Sequence, residues 1–191
     1  MSLSRRSFLM GMGAVAAASV TLPAQAAPIK LSSLIPAKPK SYDRYITFHN
    51  QHTGESFEGL YRYGDQYIGA SLHEINRIMR DFRTNEVTDM DPRLIDVMFH
   101  LQQSIWNRGG EGGYEVISAY RCKKTNDMLR KNGEGVAKNS YHIKGQACDL
   151  RMSSFPTHEI QKIALDLKAG GVGFYPSSNF VHVDTGPVRR W

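Results

Sequence analysis

The chain has 191 residues, 24 Lys and Arg against 18 Asp and Glu for a formal charge of +6, and two cysteines. That length suits one domain with a core of its own, and the cysteines lack the spacing of a cysteine metal site. The mildly basic balance favours polyanionic surroundings, but no Lys/Arg stripe interleaved with aromatics marks a nucleic-acid surface.

Residues 1–26 read as a targeting segment. Arg5 and Arg6 precede the Ala/Gly-rich apolar run Gly11–Leu22, and Ala24-Gln25-Ala26 offers a small-x-small cleavage site. The paired arginines resemble a twin-arginine (Tat) export signal, an ordinary secretory signal or an uncleaved anchor being the alternatives. The run is too short and too weakly apolar to span a bilayer, so membrane contact is expected only during export. Removing the segment takes away two arginines and no acidic residue, which leaves +4. For an exported, periplasmic protein, cell-wall polymers are the fitting polyanion. An oxidising compartment also permits a disulfide between Cys122 and Cys148, two separate buried thiols being the alternative.

Residues 27–41 hold Pro28, Pro36 and Pro39 without a hydrophobic period and read as a linker, which leaves 42–191 as the folded domain. Tyr45–Phe48 is strand-like, and a turn at His52-Thr53-Gly54-Glu55 leads to a second strand over Ser56–Tyr63. His49 and His52 read as ordinary turn histidines. Ser71-Leu72-His73-Glu74 matches a capping box opening a helix with Leu72, Ile75, Met79 and Phe82 on one face. Asp91-Pro92 starts another, with Leu94, Val97, Met98, Leu101 and Ile105 as its buried stripe. Tyr114–Arg121 has strand propensity, and Thr125–Lys131 is a short helix. Thr157 is placed to cap a helix carrying Ile160, Ile163, Ala164 and Leu167, and Gly170-Gly171 to end it.

Two later stretches carry the chemistry. In Gln146–Met152, strand alternation puts Ala147, Asp149 and Arg151 on one face and Cys148, Leu150 and Met152 on the other. His142, before the Lys144-Gly145 turn, is close enough in sequence to reach the same spot as Asp149. In Asn179–Asp184, Val181 and Val183 face a core, while Phe180, His182 and Asp184 face a cleft. His142, Asp149 and His182 offer two nitrogens and one oxygen, the three-ligand set of a catalytic zinc site with a position left for water. Such a zinc makes a hydroxide-like nucleophile near neutral pH. Asp184, two residues from His182, is the candidate proton acceptor, or else the partner that holds the other ring N–H of that histidine. Arg121 is a candidate clamp for a substrate carboxylate or the developing oxyanion.

Ser140-x-His142-x-x-Gly145-x-Ala147-x-Asp149, followed by Phe180-Val181-His182-Val183-Asp184-Thr185-Gly186, resembles the hedgehog/DD-peptidase superfamily of zinc peptidases. Within it the chain is similar to the periplasmic murein endopeptidase K branch, and His52-Thr53-Gly54-Glu55, Ser118-Ala119-Tyr120-Arg121 and Gly170–Tyr175 extend the likeness over nearly all of the mature chain. The resemblance implies an α+β fold: a small antiparallel sheet carrying the metal ligands, with helices packed on it. It implies Zn2+ on His142, Asp149 and His182, Arg121 near the substrate, and peptidoglycan peptide stems as that substrate, cut at cross-links. Alternatives are a D,D- or L,D-carboxypeptidase trimming terminal D-amino acids, and an inactive zinc-bearing module that binds cell wall. Many relatives carry their base two or three residues before the last metal histidine. Phe180 and Asn179 stand there, so the proton falls to Asp184 or to a carboxylate from elsewhere.

Overall fold

The computed structural model describes residues 42–133 and 135–191, so the export segment 1–26 and the linker 27–41 lie outside the described residues. Eight strands form one sheet: β1 (Arg44–Asn50), β2 (Ser56–Tyr63), β3 (Gln66–Tyr67), β4 (Tyr114–Ser118), β5 (Ala147–Arg151), β6 (Gly171–Tyr175), β7 (Phe180–Asp184) and β8 (Arg189–Arg190). Their spatial order is β3-β2-β1-β4-β5-β7-β6-β8. The pairs β1/β4 and β6/β8 are parallel and the rest antiparallel. The class is α+β as expected, but the sheet is mixed and neither small nor purely antiparallel. The outer strands come from segments of two residues, too short for a periodic signal.

Helices α1 (Gly69–Ile78), α2 (Pro92–Trp106) and α4 (Thr157–Leu167) bury their apolar stripes against the sheet, while α3 (Lys123–Lys131) adds nothing to that core. Helix α2 begins where Asp91 accepts from the Arg93 N–H at 3.0 Å, with Pro92 as its first residue. Leu94, Met98, Leu101 and Ile105 are fully buried at helical spacing, joined by Ile95 in the place expected for Val97. From the strands come Ile46, Phe48, Tyr114, Val116, Cys148, Leu150, Val181 and Val183. Each fully buried Leu, Ile or Val side chain contributes about 1.5–3 kcal/mol. The helices thus cover one face, and the opposite face of β5 and β7 is left for chemistry.

Several local expectations are corrected. Ser71 lies inside α1, which starts at Gly69 without a side-chain cap, and its hydroxyl donates to the Leu60 carbonyl at 2.8 Å. Phe82 lies beyond the end of α1 and stacks on His52 at 3.8 Å. Pro156, not Thr157, precedes α4, and the Thr157 hydroxyl turns to Asn179 Oδ1 at 2.6 Å. Lys168 closes α4 in the left-handed conformation (φ 51°), so Gly170-Gly171 leads into β6 instead. Strand β4 ends at Ser118, after a register shift, which leaves Arg121 in the following loop.

The disulfide is overturned as well. Both cysteines are free and they are not near each other. Cys122 precedes α3, where its sulfur accepts from the Thr125 N–H at 3.5 Å, whereas Cys148 faces the core from the middle of β5. No helix among the described residues is long and apolar enough to cross a membrane.

Candidate metal centre

Two strands and one turn bring the predicted ligands together. Asp149 on β5 and His182 on β7 are direct cross-strand partners. His142 sits in the 3-10 turn Tyr141–Lys144, which opens where the Ser140 hydroxyl accepts from the His142 N–H at 3.3 Å. The turn closes at Gly145 with φ 64°, a left-handed conformation that disfavours any side chain. A Cβ there would also stand 2.7 Å from the Asp89 carbonyl oxygen. Gly145→Ala is therefore expected to cost about 2–3 kcal/mol and to loosen His142. Urea unfolding measures the loss, and a midpoint equal to wild type would contradict it.

His142 Nε2, His182 Nδ1 and Asp149 Oδ1 form a triangle with edges of 3.2, 2.8 and 3.2 Å. Ligands about 2.0–2.1 Å from a tetrahedral ion lie about 3.3 Å apart, so the triangle has the dimensions of one face of such a shell. The other ring nitrogens decide the tautomers. His142 Nδ1 lies 2.6 Å from the Ala119 carbonyl and His182 Nε2 lies 2.9 Å from Asp184 Oδ2, both acceptors only. Neutral rings must therefore carry their protons outward, leaving two nitrogen lone pairs and a carboxylate oxygen converging on one point. Three buried acceptors facing one another call for a shared positive charge, which a proton on one ring or a metal ion can supply. The donor set fits a borderline divalent metal.

Electrostatics treat the two histidines differently. Burial holds the His142 imidazole below its usual range, despite the attraction of Asp149. Burial opposes ionisation of Asp149, but His142 and His182 overcome it and keep the carboxyl far below the usual carboxylate range. For His182, burial is outweighed by hydrogen bonds to Asp149 and Asp184, which raise its pKa, so a metal ion must displace a proton from Nδ1 to bind there. Asp184 is itself saturated: Oδ1 accepts from Gly171 N, Gly186 N and Arg189 Nη1 at 3.0, 2.9 and 3.0 Å. Oδ2 takes Arg189 Nη2 at 2.7 Å besides the His182 ring. These donors override burial, and the carboxyl stays far below its ordinary range.

The three ligands line a cleft of about 780 Å³, within the usual range of small-molecule sites. Arg121 lines it too. Its Nη2 donates to the Ser140 hydroxyl at 3.3 Å, its buried Nε has no hydrogen-bond partner, and among the described residues it forms no ion pair. Burial pulls its pKa down against the attraction of Asp149. His52, read from sequence as a turn residue, also faces the cleft, as do Arg83, Tyr175, Phe180, Arg189 and Trp191. Alternation already puts Phe180 on the cleft face, and His52 and Tyr175 fall in stretches that carry the family likeness, but spacing gives no sign of Arg83, Arg189 or Trp191, and His52 lies 90 residues before His142. For Arg189 and Trp191 the one nearby signal is the Asp184-Thr185-Gly186 motif.

A buried three-ligand set that opens onto a cleft is the build of a catalytic metal site, and defines a metal-centred enzyme on an α+β scaffold. Residues 38–191 match the family model described as peptidoglycan L,D-endopeptidase MepK, and the chain belongs to that family. It is 40% identical over 188 residues to the peptidoglycan L,D-endopeptidase MepK of Escherichia coli strain K12, covering 98% of this chain and 97% of the relative. The Shigella flexneri protein of that name aligns with the same figures, 40% over 188 residues with 98% and 97% coverage. A probable peptidoglycan L,D-endopeptidase MepK of Haemophilus influenzae is 46% identical over 148 residues, 78% of each chain.

Proposed function

We propose that this chain is a zinc-dependent peptidoglycan L,D-endopeptidase of the periplasm, exported by its twin-arginine segment and built on a hedgehog/DD-peptidase-like fold. The observation that carries the reading is the triangle of His142 Nε2, His182 Nδ1 and Asp149 Oδ1 at the floor of the cleft. These residues would hold the ion. Zinc bound there supplies an acidified water and polarises the carbonyl under attack. Everything else is done by the chain.

Ala119 and Asp184 hold the two imidazoles in the tautomers that ligation needs, at 2.6 and 2.9 Å. Of the two roles open to Asp184, the orienting one is better supported. Five donors occupy its oxygens, and a carboxylate so stabilised is a weak proton acceptor. Arg121 presents a buried cation with spare donor capacity to the cleft. In a cross-link joining two diaminopimelate residues, the D-centre on the amine side carries a free carboxylate next to the scissile nitrogen. Arg121 would pair with that group and so align the amide, a role supported by its position in the cleft lining.

Isolated sacculi incubated with the protein, with and without a chelator, test the reading through the muropeptides released. Loss of cross-linked dimers that stops on chelation and returns with Zn2+ is expected. Release of terminal D-amino acids alone would make the protein a carboxypeptidase. Intact dimers at full zinc occupancy would make it a binding module.

A further inference from the structure

The support of the metal centre continues past Asp184. Arg189, on β8, meets the carboxylate with both terminal nitrogens, Nη1 to Oδ1 at 3.0 Å and Nη2 to Oδ2 at 2.7 Å. Oδ2 is the same oxygen that takes the His182 ring N–H. The guanidinium lies between two aromatic rings, 4.9 Å from that of Tyr141 and 4.9 Å from that of Trp191. Both rings lead back to the site: Tyr141 adjoins the ligand His142, and the Trp191 indole stands 5.2 Å from the His182 imidazole.

Trp191 is itself pinned. Its N–H donates to the Val172 carbonyl at 3.2 Å, its carbonyl accepts from Phe174 at 3.1 Å, and its indole N–H donates to the Tyr175 hydroxyl at 2.7 Å. Beneath the ring lies Gly173, where a Cβ would come within 2.6 Å of the indole. Two residues of strand, an aromatic bracket and a paired fork therefore converge on one carboxylate. A salt bridge on the surface is worth little; here Arg189 is partly exposed, with 38% of its side chain open to solvent, but its partner Asp184 is fully buried. The planar fork of arginine also suits two parallel contacts and two stacked rings, which an ammonium does not reproduce.

We propose that Arg189 is a positioning residue of the metal centre, acting through Asp184 to hold His182 in the orientation and tautomer that ligation needs, with Trp191 keeping its guanidinium in place. This rests on the reading of His142, Asp149 and His182 as metal ligands. Loss of a hydrogen-bond partner behind a metal histidine lowers metal affinity by about 10–100-fold.

The test uses the purified protein with Zn2+ in competition with a chromophoric chelator, and the visible spectrum of its Co2+-substituted form. Arg189→Ala is expected to weaken Zn2+ binding by about 10–100-fold and to alter the Co2+ bands, while Arg189→Lys recovers only part of the affinity. Asp184→Asn is expected to weaken binding similarly, and the double variant Asp184→Asn/Arg189→Ala to add little to either change. A folded Arg189→Ala with wild-type affinity and spectrum would overturn the inference. If that variant does not fold, Arg189→Lys decides: wild-type affinity and spectrum would overturn it equally. Wild-type protein that fails to bind Zn2+ would overturn the metal-centre reading, and the inference with it.

Discussion

Asp149→Asn is expected to abolish measurable muropeptide release while leaving the domain folded. Asparagine has nearly the shape of aspartate, so the β5–β7 pairing and the core beneath it are retained. What disappears is the one anionic ligand, whose Oδ1 lies 2.8 Å from His182 Nδ1 and 3.2 Å from His142 Nε2. A neutral amide is a poor ligand for a divalent ion. Facing two imidazole nitrogens, its NH2 would also turn towards the site, bond a histidine lone pair and block ligation. A fall of at least about 1000-fold in kcat/KM corresponds to about 4 kcal/mol of lost transition-state stabilisation. Metal content per protein should fall with it. Turnover within tenfold of wild type would sink Asp149 as a ligand.

Asp184→Ala is the second large effect, and it acts on stability as well as activity. Truncation strands the Arg189 guanidinium, the His182 ring N–H and the Gly171 and Gly186 amides at once. Breaking a buried ionic network by removing one partner costs about 3–5 kcal/mol. For a domain of this size that is a drop of about 10 °C in Tm. The pH dependence has a definite sign. The carboxyl is held below its ordinary value, by hydrogen bonds that outweigh burial. Its contribution is complete above about pH 4 and is lost as the pH falls further. The Tm gap between wild type and variant should therefore narrow in acid. A gap constant from neutral pH down to the acid transition would contradict this account. Activity separates the two roles of Asp184: an orienting residue loses metal affinity when truncated, whereas a base loses turnover with zinc still fully bound.

The parts of the site legible in the sequence were those governed by short-range periodicity. Alternation along Ala147–Arg151 and Phe180–Asp184 sorts core residues from cleft residues because a strand's side chains change face at every step. Val181, Val183, Cys148 and Leu150 reach the core, and Asp149 and His182 reach the cleft. The Asp91-Pro92 start of α2 was equally local. Caps were less secure. Ser71 and Thr157 have hydroxyls that suit a helix start, but each found a tertiary acceptor, Leu60 and Asn179, that satisfied it elsewhere. Cys122 and Cys148 follow the same logic, since a permissive compartment says nothing of distance.

The sequence by itself determined that an imidazole and a carboxylate belong together around the Gly145 turn, and that His182 supplies a matching face. Those facts follow from residue type and spacing along one stretch of backbone. Only the tertiary structure decided that Asp149 and His182 are cross-strand partners, that Asp184 spends both its oxygens on five donors, and that Arg189 and Trp191 return beside β6 to close the back of the centre. The reason is physical. Strand order and the approach of distant side chains are set by how the whole core packs, and no local pattern in the chain encodes them.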